Sequence, residues 1–301
     1  MKEGGMRFVK MNGCGNDYIY FDLTSGESAE RCGDILSAVP ALSDRHFGVG
    51  GDGVVLILPS ECADVRMRMF NADGSEGRMC GNAVRCVGKY AYEAGYTGGR
   101  KLMTVETASG IKRLRLVTEG GVCTGASVDM GKAVFDAGAV PIDESLLPRG
   151  YAPRETPYGR VWSGIPVCAA GQTRTGTAVS MGNPHFVIFT EEDVEALDIA
   201  RIGSAIETLP LFPERVNVEF VNILGKNRMR MRVWERGSGE TMACGTGSCA
   251  VAAAAVAEGR AEEGEEISVV LNGGTLKIIF TAGGVVMTGG AEKNFEGECR
   301  I

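Results

Sequence analysis

The chain has 301 residues, 44% of them apolar and 23% charged, with a net charge of −7 at neutral pH. That is enough apolar material for two packed cores, and the acidic balance excludes the basic stripe that a nucleic-acid partner requires. The longest small apolar run, Ala250 to Ala257, is far too short to span a membrane, so no membrane partner is expected either.

Gly accounts for 44 of the 301 residues, about twice the usual ~7%, which points to many tight turns between short strands. Residues 1–5 read as a flexible leader, and Met1 to Val9 lacks the apolar run of a secretory signal. The ten cysteines are therefore expected to be reduced and the protein cytoplasmic. With no C-x-x-C and only two histidines, His46 and His185, no metal site is expected.

The first strand begins near Met6, and Met11 to Phe21 combines a Gly-flanked turn with a strand. Ala29 to Ser37 reads as a short helix, and Val54 to Leu58 as a buried strand after the turn Gly50-Gly51-Asp52-Gly53. Then comes Val65 to Gly81, VRMRMFNADGSEGRMCG. Arg and apolar residues alternate at its start, the period of a strand with one buried face. A Gly-containing loop and Cys80-Gly81 follow, and Asn82 to Ala94 reads as a helix that Gly95 stops. Leu102 to Val117 alternates like a hairpin, Gly120-Gly121 is a turn, and Ala126 to Met130 is a strand. Residues 134–165, rich in Pro and Gly, read as loops and short strands.

The pattern then repeats. Gly182-Asn183-Pro184-His185-Phe186-Val187-Ile188-Phe189 echoes Gly15-Asn16-Asp17-Tyr18-Ile19-Tyr20-Phe21, with Asn183 lying 167 residues after Asn16. Val194 to Leu209 holds a helix. Met229 to Gly245, MRMRVWERGSGETMACG, aligns without a gap on the first 17-residue stretch, and Cys244 lies 164 residues after Cys80. Thr246 to Ala257 reads as the second helix. Two segments in one order and at nearly one offset point to internal duplication. Ile267 to Met287 reads as three strands, and Glu292 to Ile301 as a segment returning to the first half, where it would cover an open sheet edge. The expected domains are 1–125 with 290–301, and 126–289.

Most cysteines are small buried hydrophobes. Cys86 and Cys249, inside the helices, fit that description, and Cys14, Cys32, Cys62, Cys123, Cys168 and Cys299 have no chemical context. Cys80 and Cys244 differ, because each sits at a helix start after a Gly-containing loop. A helix start is electropositive and favours a thiolate. A thiolate and a thiol on opposite sides of one carbon can remove a proton from one face and return it to the other. The paired helix starts could also hold a carboxylate. Asn16, Asn71, Asn82, Asn183 and Asn217 lie in or near turns, where Asn is common. As a set, with Glu235 and Arg236, they form a candidate ring for a zwitterion, and Arg236 suits a carboxylate. His185 lies in the repeated segment. Arg66, Arg68, Arg230 and Arg232 read as a solvated strand face.

These residues make the chain similar to the diaminopimelate epimerase family. The resemblance runs from Met6 to the end. It is carried by Gly15-Asn16-Asp17, Asn71 to Glu76, Cys80-Gly81-Asn82, Met181 to His185, Phe212 to Asn217, Glu235 to Thr241 and Ala243 to Gly247. It implies an α/β (α+β) fold of two pseudo-symmetric domains, each a curled, mainly antiparallel sheet around a central helix. It implies a cofactor-independent isomerase interconverting LL- and meso-diaminopimelate for lysine and peptidoglycan precursors, and a homodimer. Cys80 and Cys244 would be the acid/base pair, with His185 and Glu235 tuning them. Gly81, Asn82, Gly245 and Thr246 would hold the reacting carboxylate, with Asn16 beside it. Asn71, Asn183, Asn217 and Arg236 would read the distant amino-acid end. Some members carry Gln where this chain has Gly53. Other readings remain open at this stage: a racemase of another amino acid on the same scaffold, a zwitterion-binding protein, or a redox sensor using the two cysteines.

Overall fold

The computed structural model describes residues 5–25 and 30–301. Residues 1–4 of the expected leader, and Ala29 at the head of the expected first helix, lie outside the described residues. The chain divides into two compact units, Met1–Asp129 with Thr288–Ile301, and Met130–Met287.

In the first unit the strand Met6–Gly13 pairs antiparallel with both Asn16–Asp22 and Glu292–Cys299. Asn16–Asp22 then runs parallel to Gly53–Leu58, which pairs antiparallel with Val65–Asn71. Val65–Asn71 turns back on itself through Glu76–Gly77 and runs parallel to Leu102–Thr107, the start of a meander through Gly110–Glu119 and Val122–Gly131. The second unit repeats this plan. Gln172–Ser180 pairs antiparallel with Ile165–Ala169 and Pro184–Phe189. Pro184–Phe189 runs parallel to Asn217–Gly225, which pairs antiparallel with Arg228–Glu235. Arg228–Glu235 turns back through Gly239–Glu240 and runs parallel to Glu266–Leu271, which pairs with Gly274–Thr281. Each unit is thus a mixed, mostly antiparallel sheet with helices, and the registers match. Val54 faces Phe70 in the first unit, as Val218 faces Trp234 in the second.

Among the described residues, four α-helices complete the fold. The helix α1 (Cys32–Ser43) runs six residues past its expected end at Ser37 and contains Pro40. Ile35, Val39 and Leu42 are buried at helical spacing, and that apolar face outweighs the hydrogen bond that proline removes. In the first unit α2 (Gly81–Glu93) packs on the sheet. In the second, α3 (Ile199–Glu207) follows a single 3₁₀ turn and packs on Arg228–Glu235 and Ile165–Ala169, and α4 (Gly245–Ala257) follows the second loop. Every residue of α4 except Thr246 is buried. An alanine-rich helix can be surrounded in this way because its side chains let neighbouring strands approach closely. It packs against Gly274–Thr281, Gln172–Ser180, Pro184–Phe189, Asn217–Gly225 and Glu266–Leu271.

Of the arginines on the two repeated strands, Arg66 is exposed as expected, but Arg68, Arg230 and Arg232 are partly covered and paired with carboxylates. Arg68 Nε and Nη2 donate to the two carboxylate oxygens of Glu76 at 2.8 and 2.9 Å. Arg232 does the same to Glu240 at 2.7 and 2.9 Å. These forked pairs tie each strand to the far side of the loop it enters, in the same place in both units. The alternation alone showed which residues face outward, not what waits there for them.

Because α4 is enclosed, its packing is testable. Ala253→Leu should lower the unfolding free energy by about 1–3 kcal/mol through overpacking, seen as an earlier urea midpoint. A midpoint at or above the parent's would mean that α4 has slack around it.

Candidate functional site

The strand, the loop and the sheet register deliver Cys80 to the N-cap of α2 and Cys244 to the N-cap of α4. Both have extended backbone, with φ −130° and ψ 121° at Cys80 and φ −115° and ψ 111° at Cys244. Each sulfur accepts the backbone N–H three residues on, from Ala83 at 3.5 Å and from Gly247 at 3.4 Å. Sulfur takes the place that a Ser or Asp oxygen usually fills at a helix start. Gly81 and Asn82 open α2, and Gly245 and Thr246 open α4.

In the first unit the Cys80 thiol donates to Asn16 Oδ1 at 3.2 Å. Asn16 Nδ2 in turn donates to Asp52 Oδ2 at 2.6 Å, which fixes which way the amide faces. Asp52 is held by Arg45 at 2.9 Å, and Arg45 also forks onto Asp17, which pairs with Lys10 at 2.6 Å. Burial works to raise the Asp17 carboxyl, but hydrogen bonds from Arg45 and Lys10 outweigh it and hold the group below the ordinary range. Asn82 is buried at the first turn of α2. Asn71 ends its strand on the exposed side of the loop and donates to Ser75 Oγ at 2.9 Å. Gly53 pairs with Asn71. A Cβ at Gly53 would come within 1.9 Å of the Phe70 carbonyl oxygen, so no side chain enters here without moving a strand. An open hollow of about 1490 Å³, lined by Arg7, Asp22, Arg31 and Asp34 among others, includes none of these site residues.

The second unit gathers the larger set. His185 and Glu219 are fully buried, with Nδ1 and Oε1 2.6 Å apart. His185 Nε2 lies 3.1 Å from Asn183 Oδ1, Asn183 Nδ2 reaches Thr246 Oγ1 at 3.4 Å, and Thr246 Oγ1 lies 3.5 Å from Cys244 Sγ. Glu235 accepts hydrogen bonds from Thr241 and Cys244. Asn217 donates to the Pro184 carbonyl at 2.7 Å and accepts the Arg236 backbone N–H at 2.9 Å. The Arg236 guanidinium donates to the Glu214 carbonyl at 3.0 Å.

Electrostatics at Cys244 run against the simple helix-start expectation. Burial, joined by the charges of Glu235 and Glu219, pushes its thiol well above the ordinary range, against hydrogen bonds from Thr246 and the Gly247 N–H. Burial also carries the Glu235 carboxyl upward, against the hydrogen bonds from Thr241 and Cys244. The helix dipole is worth at most ~2 kcal/mol, whereas full burial can move a group by 3–5 pKa units, roughly 4–7 kcal/mol. At Cys244 burial therefore outweighs the helix start.

Sequence reasoning passed over Asp52, Thr241 and Glu219. Glu219 left a signal: a lone carboxylate inside Val216-Asn217-Val218-Glu219-Phe220-Val221, on the same strand face as Asn217. Asp52 was read only as part of a turn.

The match to known proteins is extensive. The family model described as diaminopimelate epimerase covers residues 8–135 and 177–294. A diaminopimelate epimerase of Desulfovibrio desulfuricans is 49% identical over 298 residues, covering 98% of this chain and 99% of that protein. One of Acetivibrio thermocellus is 44% identical, covering 97% and 98%. Among solved structures, a phenazine biosynthesis protein of the PhzF family from Bacillus anthracis superposes with a TM-score of 0.66 at 16% identity, over 99% of this chain and 100% of that one. At that identity it speaks for the fold alone. With the family model matching most of its length and relatives at these identities matching nearly all of it, the chain belongs to the diaminopimelate epimerase family.

Proposed function

We propose that this protein interconverts LL- and meso-diaminopimelate by passing a proton between two cysteines, Cys80 and Cys244. The observation that carries the reading is the twin placement of these residues. Each caps a buried helix at the same point of a repeated strand–loop–helix unit, in a chain of the diaminopimelate epimerase family.

The chemistry follows from that placement. A thiolate at Cys80 takes the α-proton of the LL form, so its S–H bond forms as the Cα–H bond breaks. The Cys244 thiol gives its proton to the opposite face of the carbon and becomes the thiolate. The meso form runs the same steps in reverse. The raised Cys244 thiol suits it to be the acid in the first direction, with Glu235 beside it to take part in the proton's return. The α-proton is only weakly acidic, so the carbanion needs pre-organised donors. The N–H groups at the starts of α2 and α4, with Asn82 and Thr246, would hold its carboxylate, and one such donor is commonly worth ~3–4 kcal/mol. Asn16, fixed by Asp52, stays beside the Cys80 sulfur. Asn71, Asn183, Asn217 and Arg236 would bind the second amino-acid end, which selects diaminopimelate over a simple amino acid. The transfer needs both sulfurs at one carbon and water excluded from it. The same reading carries a cofactor-free, cytoplasmic homodimer. Among the described residues, no helix is long and apolar enough to cross a membrane.

Four outcomes are expected. Incubation with LL-diaminopimelate in heavy water should place deuterium at one Cα, followed by NMR. Cys80→Ala and Cys244→Ala should each slow epimerisation by about 10²–10⁴-fold or more, as loss of a positioned acid or base does. Exchange at the parent rate in either variant would remove the two-thiol reading. Arg236→Met should raise KM for diaminopimelate by roughly 10–100-fold, the range of a lost charge-assisted hydrogen bond. Unchanged KM, or faster turnover of a monoamino acid than of diaminopimelate by the parent enzyme, would favour a racemase of another amino acid. Sedimentation at micromolar concentration should give twice the chain mass, and a single-chain mass would remove the homodimer.

A further inference from the structure

Glu219 is a carboxyl without an assigned part. It is fully buried, and its Oε2 has no hydrogen-bond partner among the described residues. A bare carboxylate left in that state is costly. Its other oxygen lies 2.6 Å from His185 Nδ1. With a proton also on His185 Nε2, one proton shared between those atoms leaves the buried pair without net charge, whichever atom holds it; with Nε2 bare the pair would carry a full negative charge, which burial penalises. Gly247 makes the room: a Cβ there would stand 2.7 Å from Glu219 Oε1 and 3.3 Å from Cys244 Sγ.

From this pair a hydrogen-bonded chain runs without a break to the sulfur. It passes from His185 Nε2 to Asn183 Oδ1 at 3.1 Å, from Asn183 Nδ2 to Thr246 Oγ1 at 3.4 Å, and from Thr246 Oγ1 to Cys244 Sγ at 3.5 Å. Such a chain has only two self-consistent directions. In one, Nε2 carries a proton and donates to Asn183, Asn183 donates to Thr246, and the Thr246 hydroxyl proton is left for the sulfur, which supports a thiolate. In the other, Nε2 is bare, the amide is turned over, Thr246 donates back to Asn183, and its oxygen accepts from the thiol.

We propose that Glu219 is a positioning residue that sets the first direction: it shares a proton with His185 Nδ1 in a buried pair that is neutral only while Nε2 is also protonated, so that Nε2 donates along the chain and Thr246 donates to Cys244 when that sulfur ionises. The amide orientation of Asn183 in the structure agrees with that direction. The chain offsets, at the moment of proton transfer, part of the penalty that burial places on the Cys244 thiolate. It leaves the resting thiol protonated and eases its ionised form. The titratable groups facing Cys244 are Glu235 on the strand Arg228–Glu235 and Glu219 on the strand Asn217–Gly225, with His185 acting on Glu235.

The sign of one measurement separates this from a plain charge effect. If Glu219 acted only as a negative charge, its removal would ease ionisation of Cys244. If it directs the chain, its removal hinders it. The test follows alkylation of the Cys244 peptide by iodoacetamide against pH, read by mass spectrometry in a Cys80→Ser background. Glu219→Leu should move the Cys244 midpoint upward by about one pH unit, tenfold in rate at fixed pH. Thr246→Val should do the same, and the double variant should shift no further than either single one, because both cut one chain. A downward or absent shift with parent-like circular dichroism, or additive shifts, overturns the proposal. Should Glu219→Leu not fold, ¹⁵N NMR of histidine-labelled parent protein decides: a proton on His185 Nε2 near neutral pH supports the direction, and a bare Nε2 overturns it. The inference rests on Cys244 as the reacting sulfur. Parent-level epimerisation by Cys244→Ala would defeat that reading while leaving the alkylation result intact, so the two failures are distinguishable.

Discussion

One hydrogen bond, made twice, holds the chemistry of this protein in place: a cysteine sulfur accepts the N–H three residues along at the start of a buried helix. From it follow the extended backbone at Cys80 and Cys244, the glycines just after them, and the loop that must deliver the sulfur there. The forked bonds of Arg68 to Glu76 and of Arg232 to Glu240 steady each loop from outside. Exposed ion pairs contribute little to stability on their own. Their worth here is geometric, because each fixes the turn between a strand and its sulfur.

The two copies have diverged around this shared frame. Position by position in the pairing registers, Gly53 in the first unit corresponds to Asn217 in the second, and Asn71 to Glu235. The first copy therefore surrounds its sulfur with a neutral amide, Asn16, backed by a lattice of ion pairs from exposed Arg45 through Asp52 and Asp17 to buried Lys10. The second surrounds its sulfur with buried ionisable groups, Glu235, His185 and Glu219. Two thiols made by one duplication are set in unlike environments. An enzyme that must hold one sulfur as an acid and use the other as a base needs that asymmetry.

What could be read in the sequence was whatever repeats or alternates. Val65 to Gly81 and Met229 to Gly245 announce strand, loop and helix start by period and by identity, and the structure has those elements in those places. Helix α1 was legible only in part, since Pro40 looks like a stop until the buried Ile35, Val39 and Leu42 are seen together. The polar supports were the hardest to find. Asp52 resembles any turn residue, and Glu219 breaks an apolar strand for reasons visible only once His185 lies across the parallel pairing from Asn217. Position in the chain also hid the protonation of Cys244. The helix start was evident from the sequence, but the depth of burial that overrides it depends on the whole unit.

The edge of the first unit is completed from far away. Met6 pairs with Cys299, 293 residues apart, and Met11 with Lys293. The second unit is one unbroken segment, 130–287. During vectorial synthesis the earlier unit must therefore wait, its first strand unpaired on one side, while the later one has all its parts and can form at once. Joining ends so distant through an unfolded chain costs about 5 kcal/mol in (3/2)RT ln n alone. Folding the intervening segment beforehand shortens that span, so the later half acts as an internal clamp that helps the earlier half to close.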